Sequence, residues 1–273
     1  MPGGRGFGDH AGVEPNSVLE LLDRGDRSPS LPRLGGMARA DGVVIVSEHH
    51  WAFAGVDGSL REGLMPRPPR AMRHVPLVRG LVRLGMSLSP TFRRSGVTRR
   101  RERWFLAIAV LAPLVLVFAP HTVSAAVGVA TTIALLAWLL RGRTLYLHGA
   151  EHRAIAAAEG RTLIATWNDA KRPSRFSLRC GTNFSALLLP LAIFGQRFWP
   201  LETAAFTPLV VSVLAIAVSM EVWQLVQSSS NRVARIFLFP GLALQRVTTR
   251  EPRVDETRVA LCAVASVLRR ELD

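Results

Sequence analysis

Residues 145–160 read "LYLHGAEHRAIAAAEG". His148 and His152 are four apart, so on a helix they lie one turn from each other on the same face. Two imidazoles at that spacing can chelate one divalent ion. A glutamate beside the second, Glu151, can activate a water as general base. The order His-x-x-Glu-His is that of the inverted zincins. The bland alternative is an exposed helix face, with Glu151 paired to Arg153 or Arg161.

Such a site needs a third ligand. Glu159 is on the same stripe but seven residues past His152, roughly 10 Å along the axis at about 1.5 Å per residue, too far for a shared ion. It reads instead as a helix-end residue or a partner for arginine. Cys180, in "SRFSLRCGTNF", can fold back after Gly160, and its thiolate suits zinc. It could also be a nucleophile activated by Arg179, or a buried free thiol. Glu221, in "VSMEVWQLV", is the acid that falls inside a long apolar stretch, where a carboxylate is expensive unless paired or functional. His49 and His50 are adjacent; in a strand they point to opposite faces and do not form one chelate. Cys262 falls in an apolar helical stripe and reads as a small core residue.

The elements that position these residues follow from composition. The 273-residue chain is 49% hydrophobic and 20% charged, with a formal net charge of +14. Basic charge combined with long apolar runs reads as a membrane protein with arginine-rich cytoplasmic flanks, and leaves little chain for a soluble nucleic-acid-binding domain. Lys171 is the only lysine, and two cysteines exclude a disulfide framework.

Residues 1–34 are rich in Gly, Pro and Arg and read as a disordered tail without a signal peptide. Residues 35–103 read as a cytoplasmic β-element of two or three strands over 43–64, turning at Asp57-Gly58, then a linker at 67–74. An interfacial helix follows at 75–89, with Arg79 and Arg83 directed to lipid phosphates or packed on protein. Residues 104–140 fit two spans broken at Pro120-His121, and 184–227 fit two more, about 184–199 and 206–226. Between them, 141–183 is a cytoplasmic loop carrying the histidine helix and Cys180. Residues 228–273 form a cytoplasmic segment ending in a helix at 255–271. The arginines flanking the spans place both termini in the cytoplasm. The expected class is therefore a mainly α, polytopic membrane protein with four spans and a small β-element.

Beyond these readings, the chain resembles the YqhQ-like family of bacterial membrane proteins, whose domain is of unknown function and is described as a predicted metal-dependent enzyme. The resemblance is carried by "GGMARADGV" (35–43), "PLVRGLVRL" (76–84), "LHGAEHRAIAAAEG" (147–160), "RFSLRCGTNF" (175–184) and "PGLALQRVTTREP" (240–252). It carries over His148, Glu151, His152, Glu159, Cys180, Gly181, Thr182, Gln245, Thr248, Thr249 and Glu251 as motif residues. The chain departs from the family after the glycine motif. A methionine- and arginine-bearing stretch is replaced by "VIVSEHHW", and the motif's acid stands as Asp41.

Three functions are compatible with these residues. One is a hydrolase at the cytoplasmic membrane interface, dependent on a divalent metal, zinc by preference. It would act on a lipid-like or peptide substrate, with His148, His152 and Cys180 or Glu221 as ligands and Glu151 as base. The second is a membrane scaffold or accessory protein in which the same residues are structural. The third is a carrier using Glu221 as an intramembrane charge. The lipid bilayer is the expected partner, nucleic acid is not one, and the residues name no partner protein.

Overall fold

In the computed structural model the described residues are 15–67, 69–92, 96–116, 121–199, 207–228, 236 and 238–273. Their elements are α1 (Pro15–Arg27), β1 (Gly35–Arg39), β2 (Gly42–Val46), β3 (His50–Gly55), β4 (Leu60–Leu64), α2 (Val78–Ser87), α3 (Ser89–Phe92), α4 (Arg100–Leu116), α5 (His121–Leu139), α6 (Thr144–Glu159), α7 (Leu163–Trp167), α8 (Gly181–Phe198), α9 (Thr207–Ser228), α10 (Phe239–Thr248) and α11 (Val254–Leu272). The chain divides into two compact units. The first comprises Met1–Pro66, Leu139–Ser177 and Arg246–Asp273, and the second Arg67–Trp138 and Leu178–Gln245.

The first unit is built on an antiparallel sheet of order β1-β2-β3-β4. Gly36 pairs with Ile45 and Ala38 with Val43. Val43 and Ile45 in turn oppose Ala54 and Ala52. These four apolar side chains are buried in one core with the helices. The β3–β4 turn is closed by Gly58 at φ 82°, a conformation that favours glycine. Asp57 Oδ1 accepts hydrogen bonds from the backbone N–H of Ser59 at 3.0 Å and its hydroxyl at 2.7 Å. The sheet thus has one strand more than the sequence reading allows. β1 is Gly-Gly-Met-Ala-Arg and lacks the β-branched residues that mark a strand.

Alanines let α6 pack closely on α11. Ala150, Ala154 and Ala157 on α6, and Ala260 and Ala263 on α11, are fully buried. The same residues favour the helix intrinsically. α11 begins with Asp255 and Glu256 and ends with Arg269 and Arg270, complementing its dipole. α1 belongs to this core through Val18 and Leu22. Asp26, just behind Leu22, accepts from the free N–H groups of Leu163 (2.8 Å) and Ile164 (3.1 Å) at the start of α7. The expected tail over residues 1–34 is therefore corrected. From Pro15 the chain is helical, because the spacing of "VLELL" buries one apolar face despite the charged flanks. Residues 1–14 lie outside the described residues.

The second unit is helical. α8 and α9 pack together, with Gly195 against Val211 and the Phe184 and Trp223 rings 5.8 Å apart. α2 lies along α9, where Gly80 faces Met220 and leaves no room for a side chain. Arg79 forms an ion pair with Glu221, which also accepts from the Leu77 N–H at 3.2 Å. Arg83 donates to Gln224 at 2.5 Å. The arginines of this segment thus reach α9 rather than lipid phosphates.

The expected four-span polytopic class is overturned. Among the described residues one helical segment, Leu209–Gln227 in α9, is long and apolar enough to cross a membrane. A buried core helix can meet the same test. Helix boundaries explain the difference. α4 spends its first turn on Arg100, Arg101, Glu102 and Arg103. α8 includes Asn183, Pro190, Gln196 and Arg197 among its 18 residues. Apolar runs that look continuous in sequence are interrupted by the charged and polar residues that α4 and α8 include. The break at Pro120-His121 falls partly outside the described residues, as does the end of the 195–202 turn.

Candidate metal centre

The site is built on α6. His148 and His152 project from one face, with ring centroids 4.5 Å apart and an interplanar angle of 65°. Each ring is oriented by main chain. His148 Nδ1 lies 2.9 Å from the Thr248 carbonyl, and His152 Nδ1 lies 2.6 Å from the Arg175 carbonyl. A carbonyl oxygen only accepts, so each ring donates from Nδ1, and the lone pair of its neutral form is on Nε2. His152 is 3% exposed, and its Nε2 is buried without a hydrogen-bond partner. Holding Nδ1 in this way is how protein scaffolds fix metal-binding histidines.

Cys180 is buried at the N-cap of α8, where its Sγ accepts from the Thr182 N–H at 3.5 Å. Cys180, the third ligand that the sequence offers, belongs to the second unit, whereas His148 and His152 belong to the first.

Glu151 is 5% exposed and faces β1, not an arginine. Burial pushes its carboxyl up to about 7. The charge of His148 and the backbone N–H of Ala38 act the other way and are outweighed. Gly36 makes room for it, because a Cβ there would stand 2.7 Å from Glu151 Cγ. The alternative partners are otherwise engaged. Arg153 pairs with Glu251 and donates to the Pro173 carbonyl at 3.2 Å, while Arg161 donates to the Gly25 carbonyl at 3.0 Å.

The other candidates lie apart from the cluster. Glu159 is exposed in the last turn of α6. Glu221 is engaged by Arg79 on α9. Glu251 sits beside Arg153 and Arg175, the latter at 3.6 Å. Arg175 also donates to the Thr249 carbonyl at 2.5 Å, tying the segment that holds His152 to the one that holds His148. His49 and His50 do meet one group, contrary to the opposite-face expectation. Their Nδ1 atoms lie 3.3 and 3.0 Å from the two oxygens of Glu271, because His49 precedes β3 and is free of its alternation. Cys262 is a free thiol packed against the core, its pKa pushed up to about 12 by burial.

Four contributors are not legible as chemistry in the sequence: the Thr248 carbonyl, the Arg175 carbonyl, the Ala38 N–H, and Gly149. A Cβ on Gly149 would collide with the Arg250 carbonyl, so this glycine lets residues 248–252 lie against α6. A glycine in mid-helix, costing about 1 kcal/mol relative to alanine, is the one available signal.

The fold and site define a mixed helix-and-sheet protein that carries a buried His-x-x-Glu-His helix. Residues 133–270 match the family described as Protein of unknown function (DUF1385), and the chain belongs to that family. It is 25% identical over 307 aligned positions to the uncharacterized protein YqhQ of Bacillus subtilis (strain 168), covering 88% of this chain and 93% of that protein. No solved structure matches.

Proposed function

We propose that this chain is a zinc-dependent hydrolase in which His148, His152 and Cys180 hold the metal and Glu151 is the general base. The observation that carries this reading is the buried, unpartnered Nε2 of His152 beside an Nδ1 already committed to a carbonyl. Leaving a buried polar atom unpaired costs about 1–3 kcal/mol, and a cation bound at that lone pair removes the cost. Two imidazoles and a thiol favour zinc over magnesium or calcium, which prefer oxygen ligands. Three protein ligands would match the ligand count of catalytic rather than structural zinc sites.

Zinc bound there supplies Lewis-acid polarisation of the substrate's electrophilic group. The chain's own residues do the rest. The Thr248 and Arg175 carbonyls hold the two imidazoles in one tautomer. Glu151 takes a proton from the attacking water and returns it to the leaving group. A carboxyl near pH 7 in its protonation balance suits that exchange. The Ala38 N–H fixes the carboxylate while it does so. In the same reading α9 is a membrane anchor, and a lipid bilayer is the chain's partner.

The test is elemental analysis of the detergent-purified protein beside His148→Ala and His152→Ala. About one equivalent of zinc in the native protein, lost in both variants, is expected. A native protein that binds no metal after incubation with zinc, iron or manganese would overturn the reading and leave the motif a structural one.

A further inference from the structure

We propose that α2 is a spring-loaded strap across α9, latched by the carboxylate of Glu221 against backbone strain at Leu77. The device lies wholly within the second unit and does not depend on the metal site.

The strap is held unevenly. Past its C-terminal end the chain is well anchored. Pro90 and Thr91 are buried in α3, Val97 and Thr98 are buried as well, and the Val97 N–H donates to the Pro90 carbonyl at 2.9 Å. Among the described residues of α2, Gly80 is the one that is buried. A helix docked through so little apolar surface sits at the low end of local stability.

Its N-terminal end is strained. Leu77, which caps α2, has φ 65° and ψ −47°. The Val78 N–H donates back to the Pro76 carbonyl at 2.8 Å. This closes a three-residue γ-turn with a positive central φ, the strained form of that turn. A bulky side chain rarely adopts such a φ. Strain of this kind persists where neighbouring groups impose it, and switch regions are among the places where it collects. The imposing group is Glu221. Its Oε1 accepts from the Leu77 N–H at 3.2 Å, and the Arg79 guanidinium donates to both of its oxygens. One carboxylate on α9 thus fixes the strained residue and the first turn of the strap together.

The same contacts define what the strap covers. A Cβ on Gly80 would stand 2.8 Å from Met220 Cβ and 3.5 Å from the Ala217 carbonyl, and Arg83 donates to Gln224. Release therefore uncovers Ala217, Met220, Glu221 and Gln224, which share one face of α9. The input is ionic. The latch is a carboxylate–guanidinium pair whose arginine side chain is 37% exposed, so salt that screens Arg79 loosens it.

The test is amide hydrogen exchange, read by mass spectrometry on the full chain in detergent. Glu221→Ala is expected to speed exchange over residues 78–87 at least tenfold and to leave α8 unchanged. Leu77→Ile keeps the size of the side chain, but its β-branch fits a positive φ worse. It is expected to speed the same amides at least threefold when Glu221 is present, and to add nothing in the Glu221→Ala background, where the strain is no longer imposed. Raising salt from about 0.05 M to about 0.5 M should speed exchange of α2 in the native protein and not in Glu221→Ala. Exchange over 78–87 that ignores Glu221→Ala or salt would overturn the latch. Leu77→Ile that matches the native protein, or acts equally in both backgrounds, would overturn the strain. Faster exchange spread equally over α8 would show that Glu221 holds the whole helical unit, and the strap would fall with it.

Discussion

His152 and Arg175 are joined through a ring nitrogen and a main-chain carbonyl at 2.6 Å, and the guanidinium of the same Arg175 holds the Thr249 carbonyl at 2.5 Å. Thr249 follows Thr248, whose carbonyl orients His148. Arg175 therefore couples the two segments that orient the two imidazoles. Arg175→Ala keeps its own carbonyl but frees the loop that carries it. Zinc affinity is expected to fall about 10- to 100-fold, the usual cost of losing an outer-shell partner. His152→Ala removes binding altogether. Competition with a chromogenic chelator measures both, and unchanged affinity in Arg175→Ala would show that the loop is fixed without the guanidinium.

Gly149 makes a second case, because propensity and packing oppose each other there. Alanine in mid-helix gains about 1 kcal/mol over glycine. At this position its Cβ would collide with the Arg250 carbonyl and crowd Pro252. Overpacking against backbone costs typically 1–3 kcal/mol. Gly149→Ala is expected to lower stability in chemical denaturation and to weaken zinc binding, since the displaced segment carries Thr248. A more stable variant with native zinc affinity would refute the packing argument.

The histidine pair is legible in sequence because a four-residue spacing fixes a shared helix face whatever the rest of the chain does. The groups that orient it are not, because carbonyls and N–H groups are the same at every residue and only the fold selects which ones converge. β1 hides for a related reason: its two glycines carry no strand preference, and its place comes from pairing with the apolar β2. α1 hides behind charge, although Val18 and Leu22 already have the spacing of one buried face. The four-span reading fails at helix ends. Apolar composition measures a run, while Arg100–Arg103 and Arg197 lie inside the helices themselves and shorten what is left to cross a membrane.

Cys262 tests the burial of α11 against the core. With its pKa pushed up to about 12, roughly one thiol in ten thousand is ionised at pH 8, and the thiolate is the reactive form. Iodoacetamide at that pH is expected to leave Cys262 unmodified in the native protein and to modify it fully in denaturant, as read by peptide mass spectrometry. Rapid native labelling would mean that α11 opens locally.

Glu62 on β4 carries the pH dependence of the sheet's attachment to α11. Its carboxylate accepts from Ser266 and Arg269 at 2.5 Å and from Arg270 at 3.2 Å. Burial alone raises its pKa, but these hydrogen bonds and positive charges outweigh it and hold the carboxyl below the ordinary glutamate value. A depressed folded pKa means that the unfolded chain takes up the proton first as pH falls. The stabilisation is therefore complete above the unfolded value of about 4.3 and is lost as pH drops through the folded one. Both arginines are about half exposed, so solvent screens the pair. Glu62→Gln is expected to cost about 1–2 kcal/mol at pH 7, with most of that arising from the hydrogen bonds. The difference from the native protein should shrink below pH 4. Urea denaturation at pH 7, 5 and 3.5 checks this, and a difference that stayed constant across the three would show that the carboxylate's charge contributes nothing.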